Sequence, residues 1–240
     1  MDPFSGIVLA TGILFAFNLS NLAGKVIVIV LFGSSAIVWS IMLAKWREIR
    51  DATRANTRFI NSFSAMDNVF DMFGKGTLHD MSPFFHIYRA VCETLEVELQ
   101  ERNANLKEVQ NNPALLADSD ILLARNAGER AMIMRLKILE KNMTLLATAV
   151  TAAPFLGLLG TVWGIMDSFS NIVISGSNTL KAVAPGIAGA LLTTVVGLLV
   201  ALPSAIGYNF LSVRIQQSAV DMESFLEELL AEIEKIKQKK

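Results

Sequence analysis

Residues 142–166 read NMTLLATAVTAAPFLGLLGTVWGIM, without one Asp, Glu, His, Lys or Arg. Such a run supplies the ~20 apolar residues that carry a helix across a ~30 Å hydrocarbon core. Residues 26–44 and 182–213 are equally free of charge. A helix is the expected form, because lipid offers open backbone groups no partner. Amphipathic helices of soluble proteins carry charges every turn or two, and these runs carry none. Overall composition agrees. Of 240 residues, 52% are hydrophobic and 18% charged, against roughly 25% charged in ordinary soluble domains, and mean hydropathy is +0.47. The predicted fold class is an all-α integral membrane protein with three transmembrane helices. Spans two and three extend into long cytoplasmic helices, and an interfacial helix precedes span one.

That interfacial helix is read from residues 3–24. Their densest apolar part, Gly6 to Leu19, is too short for a comfortable span and is followed by Ser20 and Asn21. It lacks the basic start of a signal peptide. Lys and Arg set the orientation. Residues 1–24 contain none, 45–141 contain fourteen, 167–185 contain only Lys181, and 210–240 contain five. The expected layout is a periplasmic interfacial helix (1–24), span one (25–45), a cytoplasmic helical domain (46–141) and span two (142–166). A periplasmic loop (167–185), span three (186–209) and a cytoplasmic C-terminal helix (210–240) follow. A bacterial inner-membrane, multi-pass protein with N-terminus outside and C-terminus inside is the expectation.

Within 46–141, turn signals fall at Gly74-Lys75-Gly76, Ser82-Pro83 and Asn111-Asn112-Pro113. Asp118 or Ser119 is the expected N-cap of a helix that meets no strong breaker before Pro154. A helix of about fifty residues, roughly 75 Å long, follows from that reading. In the tail, Ile215, Ala219, Met222, Leu226, Leu229, Ile233 and Ile236 alternate steps of four and three, a heptad seam. Packing against the chain's own helices and contact with neighbouring copies both fit it.

Spans two and three are rich in small residues. Gly157, Thr161, Gly164 and Ser168 share one helical face, as do Gly186, Ala190, Thr194, Gly197 and Ala201. Small stripes let membrane helices approach closely. Span one is bulky throughout and is expected at the lipid-facing periphery. Thr161 and Thr194 read either as polar groups with a function or as helix glue bonded to a carbonyl one turn back. Pro154, Pro185 and Pro203 mark expected kinks, Pro185 also a helix start. The predicted cores of spans two and three hold no ionisable group. A proton carrier normally needs one in the membrane, so a proton-conducting complex would have to take it from another polypeptide.

The stretch Ala153-PFLGLLGTVWGI-Met166 closely resembles the second membrane helix of the MotA/TolQ/ExbB proton channel family, in its TolQ and ExbB branch. Val183-APGIAGALLTTVV-Gly197, with Ala201-Leu-Pro203 and Tyr208-Asn209, resembles the third. The resemblance implies a homo-oligomer, a pentamer, whose spans two and three wall a pore. That pore would hold a TolR/ExbD-type single-span partner whose acidic residue carries the proton. Ion flow would be converted into mechanical work on the cell envelope or into energised outer-membrane transport. The family's pore threonines match Thr161 and Thr194, with Thr193 as an added hydroxyl. Gly157, Gly164, Gly186, Gly189, Ala190 and Gly197 would form the pore wall. One position departs: familiar members carry glutamate where this chain has Gly189.

Other classes find little support. The chain shows no phosphate loop, nucleophile elbow or metal-ligand spacing, so neither an enzyme, a metal site nor a cofactor is expected. The 21 basic and 22 acidic residues nearly cancel, which argues against nucleic acid. His79 and His86 read as solvated or packed, and the single cysteine, Cys92, as a small core residue. Phospholipids are the expected surroundings. A non-conducting scaffold that gathers partner proteins is the alternative function.

Overall fold

The computed structural model describes residues 16–18, 20–66, 68–73, 80–109, 112–175 and 180–238. The turn at Gly74–Gly76, His79 and most of the expected interfacial helix lie outside them. The described helices are α1 (Leu22–Ser64), α2 (Pro83–Gln100), α3 (Leu106–Val109), α4 (Asp118–Glu140), α5 (Met143–Ser175) and α6 (Leu180–Gln238), with a 3-10 turn at Pro113–Leu115. No strand occurs among the described residues. Three helical stretches are long and apolar enough to cross a membrane: α1, the α4–α5 stretch and α6. The all-α, three-span expectation holds.

The chain forms two compact units. The first comprises residues 1–43 and 142–210, the second 44–141 and 211–240. In the first, Val28 and Leu31 of α1 pack on Ala153 of α5 and on Leu192, Val196 and Val200 of α6. Outside this small core the surface is apolar: Phe32, Trp39, Phe155, Phe169, Leu199 and Leu202 are all exposed. Water would penalise so large an apolar exterior, and a lipid environment removes the penalty.

The second unit is an ordinary packed core. Ser82 caps α2, its Oγ accepting the Phe85 N–H at 3.3 Å, and Pro83 follows at the first helical position, where a missing N–H costs nothing. Phe225 of α6 stacks on Phe84 at 4.8 Å and meets Phe59 edge-on at 5.6 Å. The heptad seam packs within the chain: Ile215, Met222, Leu226, Leu229 and Ile233 are buried. Gly128 of α4 lies directly under Leu226. Cys92 is fully buried, as expected of a small core residue, and burial pushes its thiol up to about 12. His86 donates from Nε2 to the Asp80 carbonyl at 2.7 Å, and partial burial lowers its pKa.

Three expectations need correction. The long helix through span two is broken. Helix α4 ends at Glu140, Lys141 turns extended (φ −52°, ψ 132°) and Asn142 takes φ 69°. Asparagine tolerates that left-handed conformation better than most residues, so the breaker is Asn142 and not a proline. Second, the N-cap of α4 is Ala117, which has no side-chain oxygen. The Asp120 carboxylate reaches back instead and accepts the Ala117 N–H at 2.9 Å. Third, α5 does not stop at Met166 but runs to Ser175, which brings Asp167 into the body of the helix. Pro154 and Pro203 lie inside α5 and α6 without ending them, and Pro185 falls in the second turn of α6.

Candidate ion-pathway site

Helices α5 and α6 run antiparallel and in contact, as their glycines show. A methyl group on Gly197 would lie 2.6 Å from the Ala153 carbonyl oxygen. One on Gly157 would lie 2.8 Å from the Thr193 carbonyl oxygen, and one on Gly164 2.6 Å from Ala190 Cβ. On Gly160 it would run into the Thr193 side chain, and on Gly186 into the Ser168 hydroxyl. The two small-residue stripes therefore face each other. Close approach, rather than backbone conformation, is what requires glycine here.

This close approach brings three hydroxyls onto one carbonyl. Thr161 Oγ1 lies 3.0 Å, Thr193 Oγ1 2.9 Å and Thr194 Oγ1 3.1 Å from the Gly157 oxygen. Thr161 Oγ1 and Thr194 Oγ1 are 2.6 Å apart. Thr193 Oγ1 also lies 2.7 Å from the Ala190 carbonyl. A carbonyl has two lone pairs and each hydroxyl one proton. In a regular helix one Gly157 lone pair takes the Thr161 N–H. The remaining one cannot serve three hydroxyls at full strength. Thr193 therefore donates to its shorter contact, Ala190. Of Thr161 and Thr194, one donates to Gly157 and the other to its neighbour's oxygen. The two arrangements exchange by rotating two O–H bonds, without moving heavy atoms.

Their exposure differs. Thr193 is 0% exposed and Thr161 8%, whereas Thr194 is half-buried. Thr193 is thus enclosed by its own chain and serves the helix pair. Thr194 is the hydroxyl of the three that keeps an appreciable accessible surface.

The space beside Gly189 is filled by the chain itself. Ser20 donates from Oγ to the Gly189 carbonyl at 3.1 Å and to Ala16 O at 3.0 Å. A methyl group on Gly189 would lie 2.8 Å from Ser20 Cα and 2.9 Å from Ser20 N. A side chain at 189 thus competes with backbone for the same space. Next to it, Asn21 donates from Nδ2 to Asp167 Oδ2 at 3.3 Å. Sequence reasoning missed Ser20, Asn21 and Asp167. The available signal was that each polar side chain interrupts or borders an otherwise apolar run. No group of three or more His, Cys, Asp or Glu side chains that could hold a metal occurs among the described residues.

The fold and this hydroxyl cluster define a multi-pass helical membrane protein with a polar seam between two of its spans. The sequence profile of the MotA/TolQ/ExbB proton channel family matches residues 93–224, more than half of the chain, and the chain belongs to that family. Among curated relatives, the Tol-Pal system protein TolQ of Haemophilus influenzae is 28% identical over 212 residues, covering 88% of this chain and 89% of that protein. The biopolymer transport protein ExbB of Pseudomonas putida is 30% identical over 193 residues, 79% of this chain but 54% of the relative. TolQ of Pseudomonas aeruginosa reaches 49% identity over 76 residues, 32% of this chain and 33% of that one.

Proposed function

We propose that the chain is a subunit of an inner-membrane, proton-driven motor. Copies of it, five by family resemblance, would form a pore from α5 and α6 around a single-span partner of the TolR/ExbD type. The partner's membrane acid carries the proton past the Thr161–Thr194 pair, and the partner delivers work to the cell envelope or to outer-membrane transport. The N-terminus lies in the periplasm, the C-terminus in the cytoplasm, and phospholipid surrounds the ring. The chain itself is not an enzyme. What supports the reading is the 2.6 Å hydroxyl pair bridging two spans, in apolar runs (142–166 and 182–213) that hold no acid. One charge crossing the membrane releases about 2.3 kcal/mol per 100 mV, so one or two protons suffice for a transition of a few kcal/mol.

The test uses the chain and its partner purified together in liposomes. Thr194→Val removes the accessible hydroxyl and abolishes partner-dependent proton flux, Thr161→Val does so less completely, and the oligomer survives in both. Normal flux in the double variant contradicts the pathway. Gly189, occupied by Ser20, favours the second reading, a scaffold that gathers partners without conducting. If collapsing the proton gradient leaves partner-dependent function intact, the scaffold stands and the motor falls.

A further inference from the structure

A cavity of about 280 Å³ opens beside the hydroxyl cluster, lined by Asn21, Asp167, Ser168 and Asn171 and floored by Gly164 and Ala190. It has room for several waters, and its polar lining suits them. Among the described residues, Asp167 is the only titratable side chain that lines it. The carboxylate is half-buried and takes a single long hydrogen bond, from Asn21, among the described residues. The remaining lone pairs are available to water. Ser168 Oγ donates to the Gly164 carbonyl at 2.7 Å, so its acceptor side is also available.

The floor of the cavity connects to the threonines. Gly164 is three residues from Thr161, and the Ala190 carbonyl is the acceptor of Thr193. Asp167 and Thr161 are separated by about 9 Å along the helix axis, at ~1.5 Å per residue. Asp167 directly follows the uncharged run 142–166 and faces this polar cavity, at the outer end of the expected span.

Resting on the motor reading above, we propose that Asp167 is a proton-accepting residue of this chain, loading protons from the outer side into this cavity for the partner's acid to take up. The carboxylate takes a proton from hydronium, which leaves water. It then returns that proton to a cavity water, which becomes hydronium and gives the proton to the partner's acid. Each transfer makes one O–H bond and breaks another, and the carboxylate is regenerated. Asn21, brought by the segment seated on Gly189, forms one wall and holds one carboxylate oxygen.

The experiment is proton flux into liposomes carrying the chain with its partner, read with an enclosed pH dye in sodium-free buffer. Asp167→Asn keeps the side-chain volume and is expected to cut flux on the order of a hundredfold, the scale of losing a positioned proton-transfer group. Asp167→Glu restores most of it, and native mass spectrometry shows the same assembly for all three proteins. Difference infrared spectra of the energised wild-type complex show a protonated carboxyl band that Asp167→Asn lacks. Unchanged flux or an unchanged band in Asp167→Asn overturns the role of Asp167 while leaving the motor reading intact. Flux that requires sodium overturns the proton as its ligand. A wild-type complex with no flux under any gradient overturns the motor reading and this proposal with it.

Discussion

Thr161, Thr193 and Thr194 share one carbonyl but not one fate. Thr194 keeps accessible surface, which the proposed function assigns to the partner's acid, while Thr193 is sealed within the helix pair. The two roles separate by mutation. Thr193→Val removes a hydrogen bond to Ala190 and costs about 1 kcal/mol of stability, read as a lower detergent-melting midpoint, with flux retained. Thr194→Val leaves the melting midpoint near wild type and removes flux. Gly157→Ala pushes a methyl against the Thr193 backbone, an overpacking of about 1–3 kcal/mol, and weakens the assembly in native mass spectrometry. At this scale much was legible. The two stripes follow from helical spacing, so the faces of α5 and α6 that meet were identified from residue order. The occupation of Gly189 by Ser20 was not legible, because it joins residues 169 apart in sequence and leaves no periodic trace.

Helix ends decide the second scale. The Asp120 side chain is 1% exposed and takes both guanidinium nitrogens of Arg102, each at 2.7 Å. That contact, with the Ala117 N–H, holds its carboxyl below the ordinary 3.8. A carboxyl with a depressed folded pKa stabilises above its unfolded value, and the contribution is lost as pH falls through the folded one. Asp120→Asn therefore lowers the melting midpoint at neutral pH, and the difference from wild type narrows as pH drops below about 3.8. A gap that stays constant down to strong acid contradicts the ion pair's role. Helix α4 ends under a second such contact. Lys45, only 4% exposed, donates from Nζ to the Ile138 carbonyl at 2.9 Å and pairs with Glu48 at 2.6 Å. A terminal carbonyl that accepts the Lys141 N–H at 3.3 Å thereby gains a second, charged donor. Sequence reasoning placed α4 but not its end, since an asparagine in the left-handed region looks like any other polar residue between two apolar stretches.

The whole molecule divides its work between two kinds of core. The first unit holds few large buried side chains and presents apolar surface outward, as a lipid-embedded body does. The second buries Phe59, Phe84, Phe85, Tyr88 and Phe225 like a water-soluble domain. Composition alone made the first legible. The second carried only the heptad seam and helical spacing, and its aromatic cluster emerges from contacts across three helices. Phe225→Ala empties its centre and costs about 3–5 kcal/mol, read by denaturant unfolding of the second unit's signal. Cys92, buried with its thiol pushed up to about 12, stays unmodified by maleimide in the native protein at pH 8 and reacts once denatured. Labelling of the folded protein contradicts the packing described for α2.

A direct measurement of the central claim is the proton current of the reconstituted complex, chain and single-span partner together, under a fixed membrane potential. Wild type is expected to conduct only with the partner present, and Thr194→Val to assemble normally but stay silent. A current that survives loss of the Thr161–Thr194 pair, or that flows unchanged without the partner's acid, contradicts the account.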